Sequence, residues 1–271
     1  SRFGIGGSRE KIERAHGDGL MVNIDSPEAL EEVFWRAHEP MIYQSSYLDG
    51  QTVLSPNSLK GLEKYIALIL KANLRKQDEH ASRYLSKNNN HLIRLPALLA
   101  HFPQAQIIIP LRHPLEHAES LRRQHERWVN RHEEDRFSQS YMTWLAHHEF
   151  GSGHKPFRFT DPLDVSQQST ESPDHIVYWA ERWFDTYTWI DSLSSSQLVM
   201  IDYDDLSTSP QKTLSALFKW LNLSLSHEQT TDLANRFRPA PKRVDPTSLN
   251  PQLVEKVEQL YRALYSKCLR G

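Results

Sequence analysis

Two short, nearly continuous apolar runs dominate the hydrophobic pattern of the chain, at residues 106–111 and 198–203. Each is rich in isoleucine or valine and is short for a helix, so each predicts a buried β-strand. A weaker run at residues 83–86 is a candidate third strand. Because long helical segments separate these runs, the pattern predicts an α/β fold in which a parallel sheet is buried on both faces and flanked by helices.

Apolar residues at helical spacing fill most of the remaining chain. The clearest helix start is Ser26-Pro27, where a serine cap precedes a proline at the first helical position. Pro114 is similarly placed, just after the first strand. The predicted helices are one beginning at residue 27, one beginning at Pro114, and those at residues 58–76, 90–101, 174–193, 207–221, 227–236 and 251–269.

Residues 138–173 differ from this framework because they are rich in glycine, proline, serine and aromatic residues. Such a composition predicts a long loop or lid. We therefore expect one domain over residues 1–271 that carries a loop insertion at about residues 138–173. The longest apolar runs are far shorter than the roughly 20 residues that span a bilayer, so no membrane span is expected.

Charge and cysteine content exclude several classes of function. The 271 residues include 32 Lys and Arg and 34 Asp and Glu, which gives a formal charge of 32 − 34 = −2. This balance argues against non-specific nucleic-acid binding, which depends on many cationic contacts to phosphates. The single cysteine, Cys268, excludes a disulfide framework within one chain. No secretory signal is visible, and we expect a cytoplasmic protein.

Cationic side chains directly follow two of the candidate strands. Lys87 comes after residues 83–86, and Arg112 comes after residues 106–111. Ligands of open α/β sheets bind at the carboxyl ends of the strands, so both cations are candidates for that crevice. Arg112 and Ser120, on the following helix, could together hold a phosphate. The alternative is a structural ion pair for Arg112 and a solvated helix face for Ser120.

Residues 84–121 (YLSKNNNHLIRLPALLAHFPQAQIIIPLRHPLEHAESL) resemble the core of the P-loop sulfotransferases, which use 3′-phosphoadenosine 5′-phosphosulfate (PAPS) as donor. The family's motif for the 3′-phosphate is an arginine after a strand, a proline two residues on and a serine eight residues on. Arg112, Pro114 and Ser120 match that spacing. Lys87 matches a lysine that often follows the preceding strand. Residues 199–206 with Ser209-Pro210 also resemble the family. The tail at residues 243–264 resembles the closing segment of its bacterial members.

The resemblance departs from the family at the glycine-rich loop that binds the 5′-phosphosulfate. No G-x-x-R-S-G-T motif is present, and residues 3–9 (FGIGGSR) are the nearest candidate. Residues 16–20 and the helix from Pro27 resemble the segment after the first strand and helix in bacterial members. Our interpretation is that the chain begins downstream of the loop, as a truncation or fragment, with the first strand and half of the donor site missing.

The resemblance also implies roles for individual residues. Arg112 and Ser120 would bind the 3′-phosphate, and Tyr203 would lie beside the nucleotide. Lys87 would stabilise charge on the bridging oxygen that leaves sulfur. A basic loop at residues 236–243 would help to cover the nucleotide; its members include Lys242 and Arg243.

The general base is open between histidines of two glycine-flanked segments. His16 lies in one, and His148, beside His147 and Glu149, lies in the predicted lid. Histidine suits this role because its ordinary pKa is near neutrality. No metal site is predicted, because His125-Glu126 and His132 lack the H-E-x-x-H spacing.

The predicted function is transfer of a sulfuryl group from PAPS to a hydroxyl or amine of a small-molecule, glycan or lipid acceptor. Two alternatives remain open. One is a nucleotide-dependent phosphotransferase, disfavoured because no G-x-x-x-x-G-K-[ST] is present. The other is a non-catalytic or fragmentary sulfotransferase-like domain that binds a ligand.

Overall fold

The computed structural model describes residues 12–13, 21–22, 31–50, 52–74, 83–159, 171–239 and 244–270. Within these ranges the chain is mixed α/β, mostly helical, with three pairs of short strands. The strands are β1 (Ile12–Glu13), β2 (Met21–Val22), β3 (Leu48–Asp49), β4 (Ile107–Leu111), β5 (Phe157–Arg158) and β6 (Leu198–Asp202). The helices are α1 (Glu31–His38), α2 (Pro56–Leu74), α3 (Leu95–His101), α4 (Pro114–Glu134), α5 (Arg136–Trp144), α6 (Ile176–Ser192), α7 (Tyr203–Thr208), α8 (Pro210–Trp220), α9 (His227–Ala234) and α10 (Pro251–Tyr265).

The two strands predicted from continuous apolar runs pair in parallel, as expected. β4 and β6 run in register from Ile107 opposite Leu198 to Leu111 opposite Asp202. Burial alternates along β4, because Ile109 and Leu111 are buried while Ile108 is 36% exposed. The prediction that both faces of the sheet are buried is therefore wrong for β4.

The third predicted strand, at residues 83–86, is not formed. These residues are extended but pair with no strand in the part of the chain that the structure describes. Leu85, its central apolar residue, is 88% exposed. The run contains too little apolar surface to be drawn into a sheet.

Helices α4, α6 and α10 cover the buried side of the β4–β6 pair and form the larger core. The tryptophans of α6 belong to this core, as the sequence favoured. Fully or nearly fully buried members include Leu111, Leu115, Trp179, Trp183, Val257 and Leu264. A second, smaller core holds α1, α2 and α3 together around Trp35, Leu54, Leu62 and Leu98.

Three predicted elements differ from the structure in kind or are divided, beyond shifts of a few residues at the ends of others. Helix α5 occupies the first part of the stretch predicted as a loop; Asp135 caps it by accepting a hydrogen bond from the Phe137 N–H at 3.0 Å. The helix predicted at residues 207–221 is divided at Ser209-Pro210 into α7 and α8. The helix predicted at residues 90–101 begins as a 3-10 turn, Asn89–Arg94.

The helix start predicted at Ser26-Pro27 lies outside the described residues, and α1 is described from Glu31. No helix in the described ranges is long and apolar enough to cross a membrane.

Candidate functional site

Arg112 and Tyr203 meet at the carboxyl ends of β4 and β6. The last paired residues of the two strands are Leu111 and Asp202, so the next residue of each strand stands beside its counterpart. The Arg112 guanidinium carbon lies 5.2 Å from the centroid of the Tyr203 ring. A ring face attracts a cation without neutralising its charge. The structure thus brings together two of the residues that the sequence assigned to the nucleotide.

Arg112 is half-buried, and it forms no ion pair with any described carboxylate. Burial lowers the pKa of His117 to about 4, and the positive charge of Arg112 is the second cause of that lowering. A half-buried guanidinium that no described carboxylate neutralises, at this edge of a sheet, is suited to bind an anion such as a phosphate.

Ser120 lies on α4, six residues after Pro114, and is exposed. Six residues of helix correspond to roughly 9 Å along the axis. The first turn of α4 is tied to a distant part of the chain, because Glu116 accepts a hydrogen bond from the Val244 N–H at 3.1 Å.

Helix α10 fixes the ends of both strands. The Tyr261 hydroxyl donates to Asp202 Oδ2 at 2.8 Å, and Asp202 is almost completely buried. The other oxygen of Asp202 accepts two backbone N–H groups at the start of α7. His113, next to Arg112, lies 2.8 Å from Glu258 of α10. These contacts hold the residues adjacent to Arg112 and Tyr203.

Lys87 lines a small cavity of about 40 Å³. Its side chain is exposed, and the backbone at residues 83–88 is extended without strand pairing. Lys87 therefore does not follow a strand as predicted, although it still lines a cavity. The lining residues are Glu31, Glu32, Lys87, Asn88, Asn89, Asn90, His147 and Glu149.

The buried ion pair between Arg94 and Glu32 supports one wall of this cavity. Arg94 is fully buried and donates to both carboxylate oxygens of Glu32, at 2.5 and 3.1 Å. Tyr43 and Asn88 also donate to Glu32. Burial opposes ionisation of Glu32, but Arg94 and these hydrogen bonds lower its pKa below the usual value. The Arg94 guanidinium also lies 4.6 Å from the Trp35 ring centroid.

Glu31 is the neighbouring carboxylate and is equally well bound. The hydroxyls of Tyr84 and Ser86 each donate to its Oε2 at 2.6 Å. His91 Nε2 lies 2.9 Å from its Oε1. Burial would raise the pKa of Glu31, but His91 and the two hydroxyls outweigh it and lower the pKa to about 2. Glu31 is therefore an ionised carboxylate over the physiological pH range.

His147 is the histidine that shares the cavity with Lys87. Its Nδ1 lies 3.5 Å from Glu149 Oε2, and this contact raises the pKa of His147 although burial opposes it. Asn89 donates to the other oxygen of Glu149 at 3.3 Å. The three side chains form a row in which an amide orients a carboxylate and the carboxylate orients an imidazole.

His148 points elsewhere. Its Nδ1 lies 3.1 Å from the Gly153 carbonyl oxygen, so Nδ1 carries the proton and Nε2 is the unprotonated nitrogen of the neutral ring. Burial lowers the pKa of His148. His148 does not line the Lys87 cavity, whereas its neighbour His147 does.

Several predicted site residues lie outside the described ranges: His16, Lys242, Arg243 and the glycine-rich residues 3–9. Among the residues that the structure describes, no three histidine, cysteine, aspartate or glutamate side chains are arranged as metal ligands.

The carboxylates and the buried amide of the Lys87 cavity were not predicted from the sequence. Glu31 and Glu32 resemble ordinary first-turn acids of a helix, and nothing in their spacing indicates burial. Arg94 was a usable signal, because a lone arginine between Ile93 and Leu95 in an apolar stretch requires a buried partner. Asn88, Asn89 and Asn90 directly follow Lys87 in the sequence, and nothing in that run indicates that Asn90 is buried.

Residues 55–161 match the model of a family described as "Sulfotransferase family". This match confirms the family resemblance for the segment that contains Lys87, Arg112, Ser120 and His148. Strand β6, helix α10 and Tyr203 lie beyond the matched residues. No curated protein and no solved structure matches the chain.

Proposed function

We propose that this protein is a sulfotransferase that moves a sulfuryl group from PAPS to a hydroxyl or amine acceptor. The family match over residues 55–161 supports sulfotransferase function in general. The choice of PAPS as donor rests on the spacing of Arg112, Pro114 and Ser120 and on the surroundings of Arg112.

One observation carries the proposal. Arg112 stacks on Tyr203 at the carboxyl ends of two adjacent parallel strands, with no described carboxylate paired to it. This is the edge at which open α/β sheets bind their ligands. A guanidinium stacked on an aromatic ring keeps its N–H groups available for a phosphate, which it can bind through two parallel hydrogen bonds.

In the proposed donor complex, Arg112 and Ser120 bind the 3′-phosphate and Tyr203 lies beside the nucleotide. Lys242 and Arg243 cover it from the basic loop. The residues that the structure describes fit a 3′-phosphorylated nucleotide in chemical type. Arg112 after β4 provides a cation, Tyr203 on α7 provides a ring face, and Ser120 on α4 provides an exposed hydroxyl.

The transfer is a displacement at sulfur. The acceptor oxygen or nitrogen forms a bond to sulfur while the bond from sulfur to the bridging phosphate oxygen breaks. The electron pair of that bond leaves with 3′-phosphoadenosine 5′-phosphate, and the acceptor proton passes to a general base. We propose that Lys87 stabilises the charge that develops on the bridging oxygen.

The base is proposed to be a histidine. His16 and the lid segment of His147 and His148 are the candidates from sequence, and within that segment the geometry favours His147. His147 shares a cavity with Lys87 and is oriented by Glu149, an arrangement that keeps an imidazole in one orientation and increases its basicity. It is better placed than His148 to act beside Lys87.

Substitution of Arg112 tests the donor assignment. We expect Arg112→Ala to raise the Kd of 3′-phosphoadenosine 5′-phosphate by roughly tenfold or more, since hydrogen bonds to charged groups contribute about 1.5–3 kcal/mol. The Kd of 5′-AMP should change little. Calorimetric titration of both nucleotides gives the two values.

Arg131→Ala is the matched control, because Arg131 is an exposed arginine near the far end of α4. It should leave both nucleotide affinities unchanged. Equal losses of both nucleotides in Arg112→Ala would contradict a role in binding the 3′-phosphate and would favour a fold-level likeness without the activity.

A further inference from the structure

Residues 147–155 connect α5 to β5 and carry two residues of the Lys87 cavity, His147 and Glu149. Within this segment the Lys155 N–H donates to the His148 carbonyl oxygen at 2.8 Å, which closes the backbone on itself. A contact that holds the closed part of the segment therefore also holds Glu149, which lies inside it, and His147, which directly precedes it.

His132 of α4 is the side chain against which the segment rests. It is buried, and its Nδ1 accepts a hydrogen bond from the Ser152 N–H at 3.3 Å. Because Nδ1 accepts, the proton of the neutral ring is on Nε2, which lies 3.2 Å from the Met142 thioether of α5. The two nitrogens of one neutral imidazole thus connect α4 to the segment and to α5.

The contact with His132 is close enough to require a glycine in the segment. Gly151 has a φ of +77°, and a side chain there would begin 2.5 Å from the His132 ring. The fit also depends on the charge of the ring. The Ser152 N–H is part of the backbone and cannot turn away, so a proton on His132 Nδ1 would place two donors against each other.

His154 holds the other end of the segment. Its Nε2 accepts a hydrogen bond from the Tyr178 hydroxyl of α6 at 2.8 Å. Its ring centroid lies 5.4 Å from that of His125 on α4 and 5.1 Å from that of Trp179 on α6. A proton on His154 would therefore place a charge beside a second buried imidazole and among aromatic rings, where it is poorly solvated.

Burial opposes protonation of every ring in this cluster. It lowers the pKa of His125, His132 and His148, and it lowers that of His154 to about 4. The surrounding charged groups are Asp135 beside His132, Asp174 beside His125, Glu149 beside His148 and His154, Lys155 and Arg36 beside His148, and Arg182 beside Tyr178. The carboxylates favour a proton on the rings, but burial outweighs them, so the rings are neutral at pH 7.

We propose that His132 is a positioning residue of the candidate site: its neutral ring holds residues 147–155 in place, and protonation of His132 and His154 in acid releases this segment together with His147 and Glu149. The inference rests on the proposed function for its catalytic meaning, because the segment carries the proposed base. Release of the segment can be measured without nucleotide or acceptor, so the two can fail separately.

Hydrogen exchange of the full chain, measured by mass spectrometry at pH 7.0 and 5.0, tests the release. The rates are corrected for the intrinsic pH dependence of amide exchange. With a pKa of 6.5 in the released segment and about 4 in the closed one, proton uptake by His154 alone favours opening by about thirtyfold at pH 5.0. We expect the protection of residues 147–155 to fall tenfold or more.

Strand β4 is the internal reference for this measurement. At pH 5.0 the protection of residues 147–155 should lie at least tenfold below that of β4, because the opening is local. Protection of the segment that is unchanged between pH 7.0 and 5.0 would overturn the proposal. Protection at pH 5.0 that equals that of β4 would also overturn it, since the segment would then open only when the whole chain unfolds.

Variants assign the effect to His132. His132→Asn places an amide oxygen, which does not titrate, where Nδ1 accepts the Ser152 N–H, whereas His132→Leu removes the acceptor. At pH 7.0 we expect the segment to keep its protection in His132→Asn and to lose about tenfold in His132→Leu, the effect of one hydrogen bond. His227→Asn, at an exposed histidine at the start of α9, is the control and should change nothing.

The double variant His132→Asn/His154→Gln replaces both titrating rings. Its segment should keep most of its protection at pH 5.0. A loss between pH 7.0 and 5.0 as large as in the native chain would overturn the proposal. If the substituted chains do not fold, the comparison of the segment with β4 in the native chain decides.

Titration with 3′-phosphoadenosine 5′-phosphate separates this inference from the proposed function. Nucleotide binding by a chain whose segment keeps its protection at pH 5.0 refutes the acid release and retains the donor assignment. Acid release of the segment in a chain that binds no nucleotide retains the role of His132 in holding the segment and refutes the donor assignment.

Discussion

At the scale of single residues, the structure distinguishes an arginine that is paired with a carboxylate from one that has no described carboxylate partner. Arg94 is fully buried and bonded to both oxygens of Glu32, so it supports the fold. Arg112 is half-buried and stacked on Tyr203 without a described carboxylate partner. Both are arginines in apolar surroundings of the sequence, and their different partners explain why only Arg112 is suited to a ligand.

His154 has a proton arrangement that its neighbours fix. Its Nδ1 lies 3.2 Å from the His148 carbonyl oxygen and its Nε2 lies 2.8 Å from the Tyr178 hydroxyl. A carbonyl can only accept, so Nδ1 carries the proton and Nε2 accepts from the hydroxyl. Burial first, and the neighbouring His125 second, lower the pKa of His154 to about 4.

This arrangement predicts loss of stability in mild acid. The unfolded chain binds a proton at His154 near pH 6.5, whereas the folded chain resists it until about pH 4. The contribution of His154 to the free energy of unfolding is fully present above pH 6.5. As the pH falls from 6.5 toward 4, it decreases by at most about 1.4 kcal/mol per pH unit. Urea unfolding at pH 7.0, 6.0, 5.0 and 4.5 measures it.

His154→Gln should make the pH dependence between pH 6.5 and 4 shallower by the contribution of His154, while His117, whose pKa is also lowered to about 4, keeps its own contribution. His227→Gln, an exposed histidine at the start of α9, should leave it as in the native chain. A pH dependence in His154→Gln as steep as in the native chain would refute the proton assignment at His154.

At the scale of secondary structure, strands β4 and β6 could be predicted because their apolar runs are long enough to be drawn into a core. The same reasoning wrongly predicted a strand at residues 83–86, where only Leu85 is aliphatic and its side chain is exposed. Helix α5 was predicted as a loop because serines and aromatics are frequent after residue 138. Asp135 caps a helix at the start of that stretch. Its first glycine, Gly151, comes only after this helix ends at Trp144.

The candidate site was predictable only where it follows strand ends. Arg112 and Tyr203 come after continuous apolar runs, and parallel pairing places them side by side. The Lys87 cavity was not predictable as a whole, because its walls come from α1, the 3-10 turn Asn89–Arg94 and the segment after α5. No periodicity relates these three segments to one another.

Helix α10 is predicted to act on nucleotide binding through the strand ends. Tyr261→Phe removes the hydroxyl that bonds to the buried Asp202, next to Tyr203. We expect the free energy of unfolding to fall by about 1–3 kcal/mol, the cost of leaving a buried acceptor without its partner. The Kd of 3′-phosphoadenosine 5′-phosphate should also rise, by a few-fold.

Tyr265→Phe is the graded comparison, because Tyr265 lies one turn later on α10 and donates to Asp205 at 3.1 Å, farther from the end of β6. Its effect on the nucleotide Kd should be smaller than that of Tyr261→Phe. If Tyr261→Phe lowers stability and leaves the nucleotide Kd unchanged, α10 supports the fold and does not position the site.

At the scale of the whole molecule, the proposed site joins segments on both sides of the sulfotransferase match. Arg112 and Ser120 lie within residues 55–161, whereas Tyr203 and α10 lie beyond them. The α1–α2–α3 core supplies part of the cavity wall through Glu31 and Glu32 of α1. We therefore expect donor and acceptor binding to be properties of the assembled chain and not of the matched segment alone.

Calorimetric titration of the native chain with two isomeric nucleotides tests the central claim most directly. Adenosine 3′,5′-bisphosphate and adenosine 2′,5′-bisphosphate carry the same charge and differ only in the position of one phosphate. Specific binding of the 3′-phosphate by Arg112 and Ser120 predicts a Kd for the 3′,5′ isomer at least tenfold lower, a difference of about 1.4 kcal/mol. Equal affinities for the two isomers, or no binding of either, would contradict the assignment of PAPS as donor.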